Sequence, residues 1–211
     1  MLILAFTISF LPVKAAAQTT VINLKCEYLV NPLGVDAPKP RFTWQMASNK
    51  KIIKQAAYRI ILGTDSDRIF AGKNSIWDSG LINSDQNLVI YNGPELQPFT
   101  KYFWKVAVMD QDQIIHTNIA SFETGMMQSK WRGSWISDNN DLRVKPAPYF
   151  RKVFAAEKKV KSARAYIAVA GLYELYLNGK KVGNHRLDPM YTRFDRRTLY
   201  VTYDVTQAIL A

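Results

Sequence analysis

The sequence predicts an all-β chain built as two consecutive β-sandwiches. Three observations carry this. Beyond the N-terminal stretch, no helical period is sustained over about 12 residues, whereas short apolar–polar alternations recur between turn clusters. The 211 residues include 11 Tyr and 5 Trp, side chains that a pleated surface accommodates well. Hydrophobic residues make up 48% of the chain, enough for packed cores and far from a disordered composition.

Residues 1–17 stand apart. An apolar run from Met1 to Phe10 precedes the small-residue site Ala15-Ala16-Ala17 before Gln18. This reads as a secretory signal cleaved after Ala17, which puts the mature chain in the periplasm or outside the cell, although the usual basic n-region is lacking. The run is shorter than the ~20 apolar residues that span a bilayer, and no later segment is apolar enough, so no membrane association is expected after cleavage. No Cys follows the cut, which argues against a lipid anchor.

Residues 18–125 are expected to form the first sandwich. The strand candidates are "VINLKCEYL", "RFTWQM", "AAYRIILG", "IWDSG", "NLVIY", "KYFWKVAVMD" and "ASFETG", with the breaker "NPLGVDAPKP" after the first. Within "LQPFTKYFWKVAVMD", Leu96, Pro98, Thr100, Tyr102, Trp104 and Val106 fall on every second residue. Pro98 cannot donate to a ladder and marks the approach to a strand. Tyr102 then starts the strand with its ring inward and its hydroxyl turned back to the preceding loop, the tyrosine corner of sandwich domains. With "FETG" closing it, this segment resembles a fibronectin type III or immunoglobulin-like domain.

Residues 126–134, "MMQSKWRGS", read as a linker. The second β segment occupies 135–211 and runs through "WIS", "YFRKVFAAE", "VKSARAYIAVAGLYELYLNGKKVG", "HRLDP" and "TLYVTYDVTQAIL". In "SARAYIAVAG", Ala163, Ala165, Ile167 and Val169 alternate with Arg164, Tyr166 and Ala168, which selects strand over helix. Asn178-Gly179 is the preferred pair for a type I′ hairpin turn. It joins "YELYL" to "KKVG", with Leu172, Glu174 and Tyr176 on one face and Tyr173, Leu175 and Leu177 on the other.

Composition excludes several chemistries. Cys26 is the only cysteine, so there is no internal disulfide; with His116 and His185 alone beside it, no Cys/His zinc site can be assembled. Cys26 lies in a strand-like run and is expected to be a buried, inert thiol. The chain carries 28 basic and 17 acidic residues, a formal charge of +11, or +10 once Lys14 leaves with the signal. The basic residues are scattered and the densest cluster is "EKKVKSAR", so a solvated surface is expected and nucleic acid is not a partner.

Across "NLKCEYLVNPLGVDAPKPRFTWQM", "QAAYRIILGTD", "IWDSGLI" and "APYFRKVF…VKSARAYIAVAGLYELYLNGKKVGNHRLDPMYTRFDRRTLYVTYDVT", the chain resembles the N-terminal portion of bacterial α-L-rhamnosidases, the family 78 glycoside hydrolases. The resemblance covers essentially the whole mature chain in the family's order. It implies a modular enzyme in which a fibronectin-like domain and jelly-roll sandwiches precede a helical (α/α)₆ barrel that hydrolyses α-L-rhamnosides with inversion. The chain reaches Ala211 before any such barrel and inside the second, jelly-roll sandwich, which is therefore expected to be incomplete. No catalytic residue is carried over. Inverting hydrolysis needs two carboxylates roughly 6.5–9.5 Å apart, one with a raised pKa. Asp138 with Asp141, and Asp188 with Asp195, are the nearest pairs in sequence, but carboxylates in turns more often cap or face water.

A binding role is the stronger expectation. In some family members the N-terminal sandwich binds rhamnose through calcium, held by an adjacent Asp-Asn pair and by an Asn and a Pro carbonyl after the Asn-Gly hairpin. The resemblance places these at Asp138, Asn139, Asn184 and Pro189, a set of hard oxygen donors suited to Ca²⁺. His185, Asp188 and Tyr191 lie among them as candidate sugar contacts, with Tyr173, Tyr176 and Phe194 available for an aromatic wall. The partner so implied is a rhamnose-containing polysaccharide or glycoside. Three readings follow: the non-catalytic N-terminal region of an α-L-rhamnosidase, a free-standing secreted carbohydrate-binding or adhesion module, and a truncated gene product.

Overall fold

The computed structural model describes residues 19–113, 115–138, 143 and 147–210. The expected signal segment therefore lies outside the described residues, as do Asn139 and Asp141. In chain order the first unit contains β1 (Thr19–Cys26), β2 (Arg41–Ser48), β3 (Gln55–Gly63), α1 (Ser66–Phe70), β4 (Trp77–Asp78), β5 (Ile82–Asn83), β6 (Leu88–Ile90), β7 (Lys101–Asp110) and β8 (Ile115–Glu123). The second contains β9 (Arg164–Ala168), β10 (Tyr176–Leu177), β11 (Lys180–Lys181), β12 (Tyr200–Asp204) and α2 (Thr206–Leu210).

The first unit is a two-sheet antiparallel sandwich. One sheet has the order β1-β2-β6; the other runs β4-β3-β7-β8, with β5 also paired to β3. Alternation is cleanest in β7, where every second residue from Tyr102 to Asp110 is buried. The inward side chains of both sheets form one aromatic-rich core. Phe42 from β2 meets Trp104 from β7 with ring centroids 4.6 Å apart and Phe122 from β8 at 5.8 Å. Trp44 is buried against Tyr58, and its indole N–H donates to Gln55 Oε1 at 2.9 Å, so the large ring brings no orphaned donor into the core. A register shift between Ile22 and Lys25 bends β1, with Asn23 at φ 52°.

The tyrosine corner is present. Tyr102 is buried, stacks on Phe122 at 5.3 Å, and its hydroxyl accepts the Gln97 backbone N–H at 2.8 Å, tying the loop before β7 to the strand itself. Cys26 is buried and free; burial, and after it the neighbouring Glu27 carboxylate, pushes its thiol up to about 12.

Helix α1 has no counterpart in the sequence reading. Its five residues are too few to show a helical period, and it is held by a cap instead: the Asp65 carboxylate accepts from the Asp67 and Arg68 backbone N–H groups at 3.0 and 3.1 Å. Likewise "TLYVTYDVTQAIL" does not remain strand to its end. Asp204 Oδ1 accepts the Thr206 N–H at 3.0 Å and the chain turns into α2.

In the second unit β9 and β12 pair antiparallel from Arg164↔Asp204 to Ala168↔Tyr200. Asn178 and Gly179 have φ 49° and 76°, as a type I′ turn requires, and join β10 to β11. Tyr173, Leu175 and Leu177 are half-buried while Leu172, Glu174 and Tyr176 face outward. Two segments differ from expectation: "WIS" and "YFRKVFAAE" form no strand among the described residues. Their β-type composition has no neighbouring backbone to pair with there, and Trp135, Ile136, Tyr149, Phe150, Val153 and Phe154 are exposed.

Replacing Tyr102 by Ala is expected to cost about 3–5 kcal/mol, whereas Tyr102→Phe, which loses only the hydroxyl's bond, is expected to cost about 1 kcal/mol. Urea denaturation followed by tryptophan fluorescence measures both; equal losses would mean that the hydroxyl, rather than the ring, carries the corner.

Candidate functional site

The expected sugar rim is organised by the loop that follows β11. Gly183 at φ 73° turns the chain, and its bare α-carbon lies against the Tyr203 ring, where a Cβ would stand 2.9 Å from Cε1. The loop is then fastened to β12 by side chains. Asp188 Oδ2 accepts from the Tyr203 hydroxyl at 2.9 Å and lies 2.9 Å from His185 Nδ1. The Tyr173 and Tyr203 hydroxyls are 3.1 Å apart, and the Tyr173 backbone N–H donates to the Asp188 carbonyl at 3.0 Å. Burial first, and the hydrogen bonding between them second, push the Tyr173 hydroxyl well above the ordinary tyrosine range. Both phenols therefore stay protonated and neutral around the Asp188 carboxylate.

This network places the sequence candidates as follows. Asp188 is a loop anchor, with its Oδ2 shared between Tyr203 and His185. Pro189, joined to Asp188 by a cis peptide bond, is buried, while Asn184 is exposed. His185 is exposed and packs obliquely on the Tyr203 ring at 5.9 Å. Tyr191 is exposed and meets Phe194 edge-on at 5.2 Å. Asp138 is half-buried, at the end of the described part of its loop. Asp138, Asn184 and the Pro189 carbonyl are all hard oxygen donors, which fits calcium by ligand type. Among the described residues, no three His, Cys, Asp or Glu side chains cluster for a metal.

Asp195 forms a close exposed pair with Arg193, whose guanidinium holds its carboxyl below the usual range. The carboxyl groups of Glu27, Asp78, Glu174, Asp195 and Asp204 are displaced downward, opposite to the displacement a general acid needs.

The strongest polar feature is elsewhere, at the joint between the two units. Arg164, at the start of β9, grips Glu123, at the end of β8, with two bonds of 2.8 and 2.9 Å in fork geometry. Its third nitrogen reaches Asp204 at 3.0 Å and the Ala163 carbonyl at 2.9 Å. The side chains of Arg164 and Glu123 are only 16% and 7% exposed, so this is a nearly dry pair. Beside it the Tyr200 hydroxyl donates to Asp36 Oδ2 at 2.7 Å and accepts the Met126 N–H at 2.9 Å; Asp36 Oδ1 accepts the Met127 N–H at 2.7 Å. Burial, and then the bond to Asp36, raise the Tyr200 pKa and keep the phenol a donor. Gly125 has to be glycine, because a Cβ there would overlap the Tyr200 hydroxyl. The residues read as the start of a linker are thus docked: Met126 is buried and Met127 packs against the first core. The sequence reading missed this joint because its members, Asp36, Glu123, Arg164 and Tyr200, are far apart along the chain. The one local signal was an Arg inside an otherwise apolar strand.

A model of the Rha78A-like, N-terminal immunoglobulin domain matches residues 21–128, and a model of the α-L-rhamnosidase N-terminal domain matches residues 158–210. An α-L-rhamnosidase of Formosa agariphila is 30% identical over 205 residues, which cover 85% of this chain and 22% of that protein. One from an Alteromonas species is 33% identical over 197 residues, covering 87% and 21%. The solved α-L-rhamnosidase from Dictyoglumus thermophilum superposes with TM-score 0.81 at 36% identity, over 90% of this chain and 24% of that one. The Streptomyces avermitilis α-L-rhamnosidase, solved with L-rhamnose bound, gives TM-score 0.54 at 27% identity, over 90% and 21%. The chain therefore spans roughly a fifth to a quarter of the length of these relatives.

Arg164→Ala should leave the Glu123 carboxylate buried and uncompensated, at a cost of about 3–5 kcal/mol. Pairing Arg164→Met with Glu123→Leu should recover most of that loss, because an apolar pair demands no charge partner. Differential scanning calorimetry of wild type, single and double variants checks this; additive losses would show that the two residues do not act as a pair.

Proposed function

The chain belongs to the α-L-rhamnosidase family, with an N-terminal immunoglobulin-like domain followed by a segment that matches the rhamnosidase N-terminal domain, and from that premise we propose that it works as the non-catalytic, glycan-handling end of an enzyme acting on rhamnose-containing substrates. The observation that carries this reading is the joint. A buried bidentate ion pair and a tyrosine–aspartate bond set the second unit at one fixed attitude to the first. A module that serves only as a spacer needs no such geometry; one that presents a surface to a neighbouring domain or a polymer does. The exposed apolar residues Trp135, Ile136, Tyr149, Phe150, Val153 and Phe154 supply that surface.

Rhamnose capture through calcium is the finer part of the proposal. Sugar hydroxyls gain little from binding to protein groups alone, because one set of hydrogen bonds replaces another. A calcium ion held by Asp138, Asn139, Asn184 and the Pro189 carbonyl would supply open coordination positions for vicinal hydroxyls. His185, Asp188 and Tyr191 would border the sugar, with Asp188 fixing the loop through Tyr203. A single carboxylate in the set implies weak metal affinity, nearer the 10⁻⁴–10⁻³ M of extracellular sites, roughly speaking, than that of an intracellular sensor.

The purified chain is expected to show no turnover of a synthetic α-L-rhamnoside. Release of the chromophore that disappears in Asp138→Asn or Asp188→Asn would reverse the non-catalytic reading. Calorimetric titration with L-rhamnose is expected to give heat in millimolar Ca²⁺ and none in EDTA, with Asn184→Ala reducing the signal at least several-fold. Equal heats in both buffers, or none in either, would remove the calcium site and leave the scaffold role standing.

A further inference from the structure

Between the two units lies an open groove of about 460 Å³. Phe99 from the first unit and Tyr166 from β9 form one wall, meeting edge to face at 5.3 Å. Trp131 forms the other, set edge-on to Tyr200 at 5.9 Å, and Met126 lies at the base. Phe99 and Trp131 remain about half exposed, 50% and 49%, in a chain whose first core buries Trp44, Trp77 and Trp104 almost completely. The rim carries Lys130 and Arg132. Neither has an ion-pair partner among the described residues, and no carboxylate is among the lining residues. Nearby, Glu123 is paired with Arg164, while the Asp36 carboxylate is bonded to the neutral Tyr200 hydroxyl and keeps its charge outside the lining. The groove thus combines aromatic walls with two cations that no lining carboxylate pairs.

From this juxtaposition we infer that the groove binds an anionic saccharide unit, a pyranose carrying a carboxylate or a sulfate ester, as a second glycan contact distinct from the rim near Asn184. The chemistry matches on both sides. The C–H face of a pyranose lies against an aromatic ring face, whose quadrupole is negative, and this selects sugars over flexible anions. The Arg132 fork bonds a carboxylate or sulfate through two nitrogens, while Lys130 adds a point charge. The net charge of the chain, +11 before any leader is removed, favours approach of a polyanion to Lys130 and Arg132. The site spans the joint: Phe99 and Tyr166 belong to different units and meet beside the Arg164–Glu123 pair. The inference rests on the proposed role in glycan handling and adds to it a second contact, for a charged sugar unit.

The test titrates the whole chain, in low and in high salt, with trigalacturonate, with its methyl ester, with a sulfated monosaccharide and with L-rhamnose. Trigalacturonate or the sulfated sugar is expected to bind at least tenfold more tightly than the neutral ester, to weaken as salt rises, and to lose at least tenfold in affinity in Arg132→Glu. Which of the two anions binds identifies the source of the charge. Lys130→Glu repeats the charge test at a second exposed position, and Trp131→Ala should weaken the ester and the acid alike; melting curves confirm that each variant is folded. Equal affinity for acid and ester, full affinity in folded Arg132→Glu, or no binding of either anion at millimolar concentration would overturn the inference. The L-rhamnose arm is read separately with and without EDTA, so a failed groove and a failed rim give different results.

Discussion

The arrangement of this chain depends on one ion pair, Arg164 with Glu123. The second unit has little buried apolar surface of its own; among its described residues Tyr203 and Val205 are the buried hydrophobics. A two-stranded ladder with so small a core is marginal in isolation. Its strands are held by borrowing the end of β8 as an anchor. Once the guanidinium is seated between Glu123 and Asp204, the direction of β9 is set, β12 follows by pairing, and Tyr200 reaches Asp36. The pair is nearly dry, so its value lies in geometry as much as in energy: either charge left alone there would be costly, and the two units therefore meet in one way.

Two kinds of polar arrangement coexist in the second unit. At the joint, charges are paired, buried and bidentate. At the rim, Asp188 is surrounded by neutral phenols and an exposed imidazole, a softer network that holds a loop in place while leaving Asn184, His185 and Tyr191 open to solvent. The contrast suits a module whose internal geometry is rigid and whose outer loops make contacts. The same division appears in the aromatics. Phe42, Trp44, Trp77, Tyr91, Tyr102, Trp104 and Phe122 of the first sandwich are consumed by packing, whereas Phe99, Trp131, Tyr149 and Tyr191 keep about half or more of their surface.

Membership of the rhamnosidase family gives the chain its place: the matched domains are N-terminal ones, and the chain spans a minor part of each relative.

Much of this was legible along the chain. The period-two alternation of "KYFWKVAVMD" marks β7, and the spacing of Pro98 before Tyr102 marks the corner, because both arise from neighbours in sequence acting through a fixed backbone geometry. The Asn178-Gly179 turn and the inert Cys26 are local in the same way, as is the family likeness, which is written in contiguous blocks. Short capped helices escaped notice, since five residues hold no period. "YFRKVFAAE" shows the converse: strand composition without a strand, because a ladder needs a partner that composition does not provide. The joint and the groove were decided by tertiary structure alone. Glu123 and Arg164 are 41 residues apart, Asp36 and Tyr200 164 apart, and nothing in a linear pattern brings such groups together. Their meeting is set by how two sheets end and by which charge cannot be left dry without its opposite.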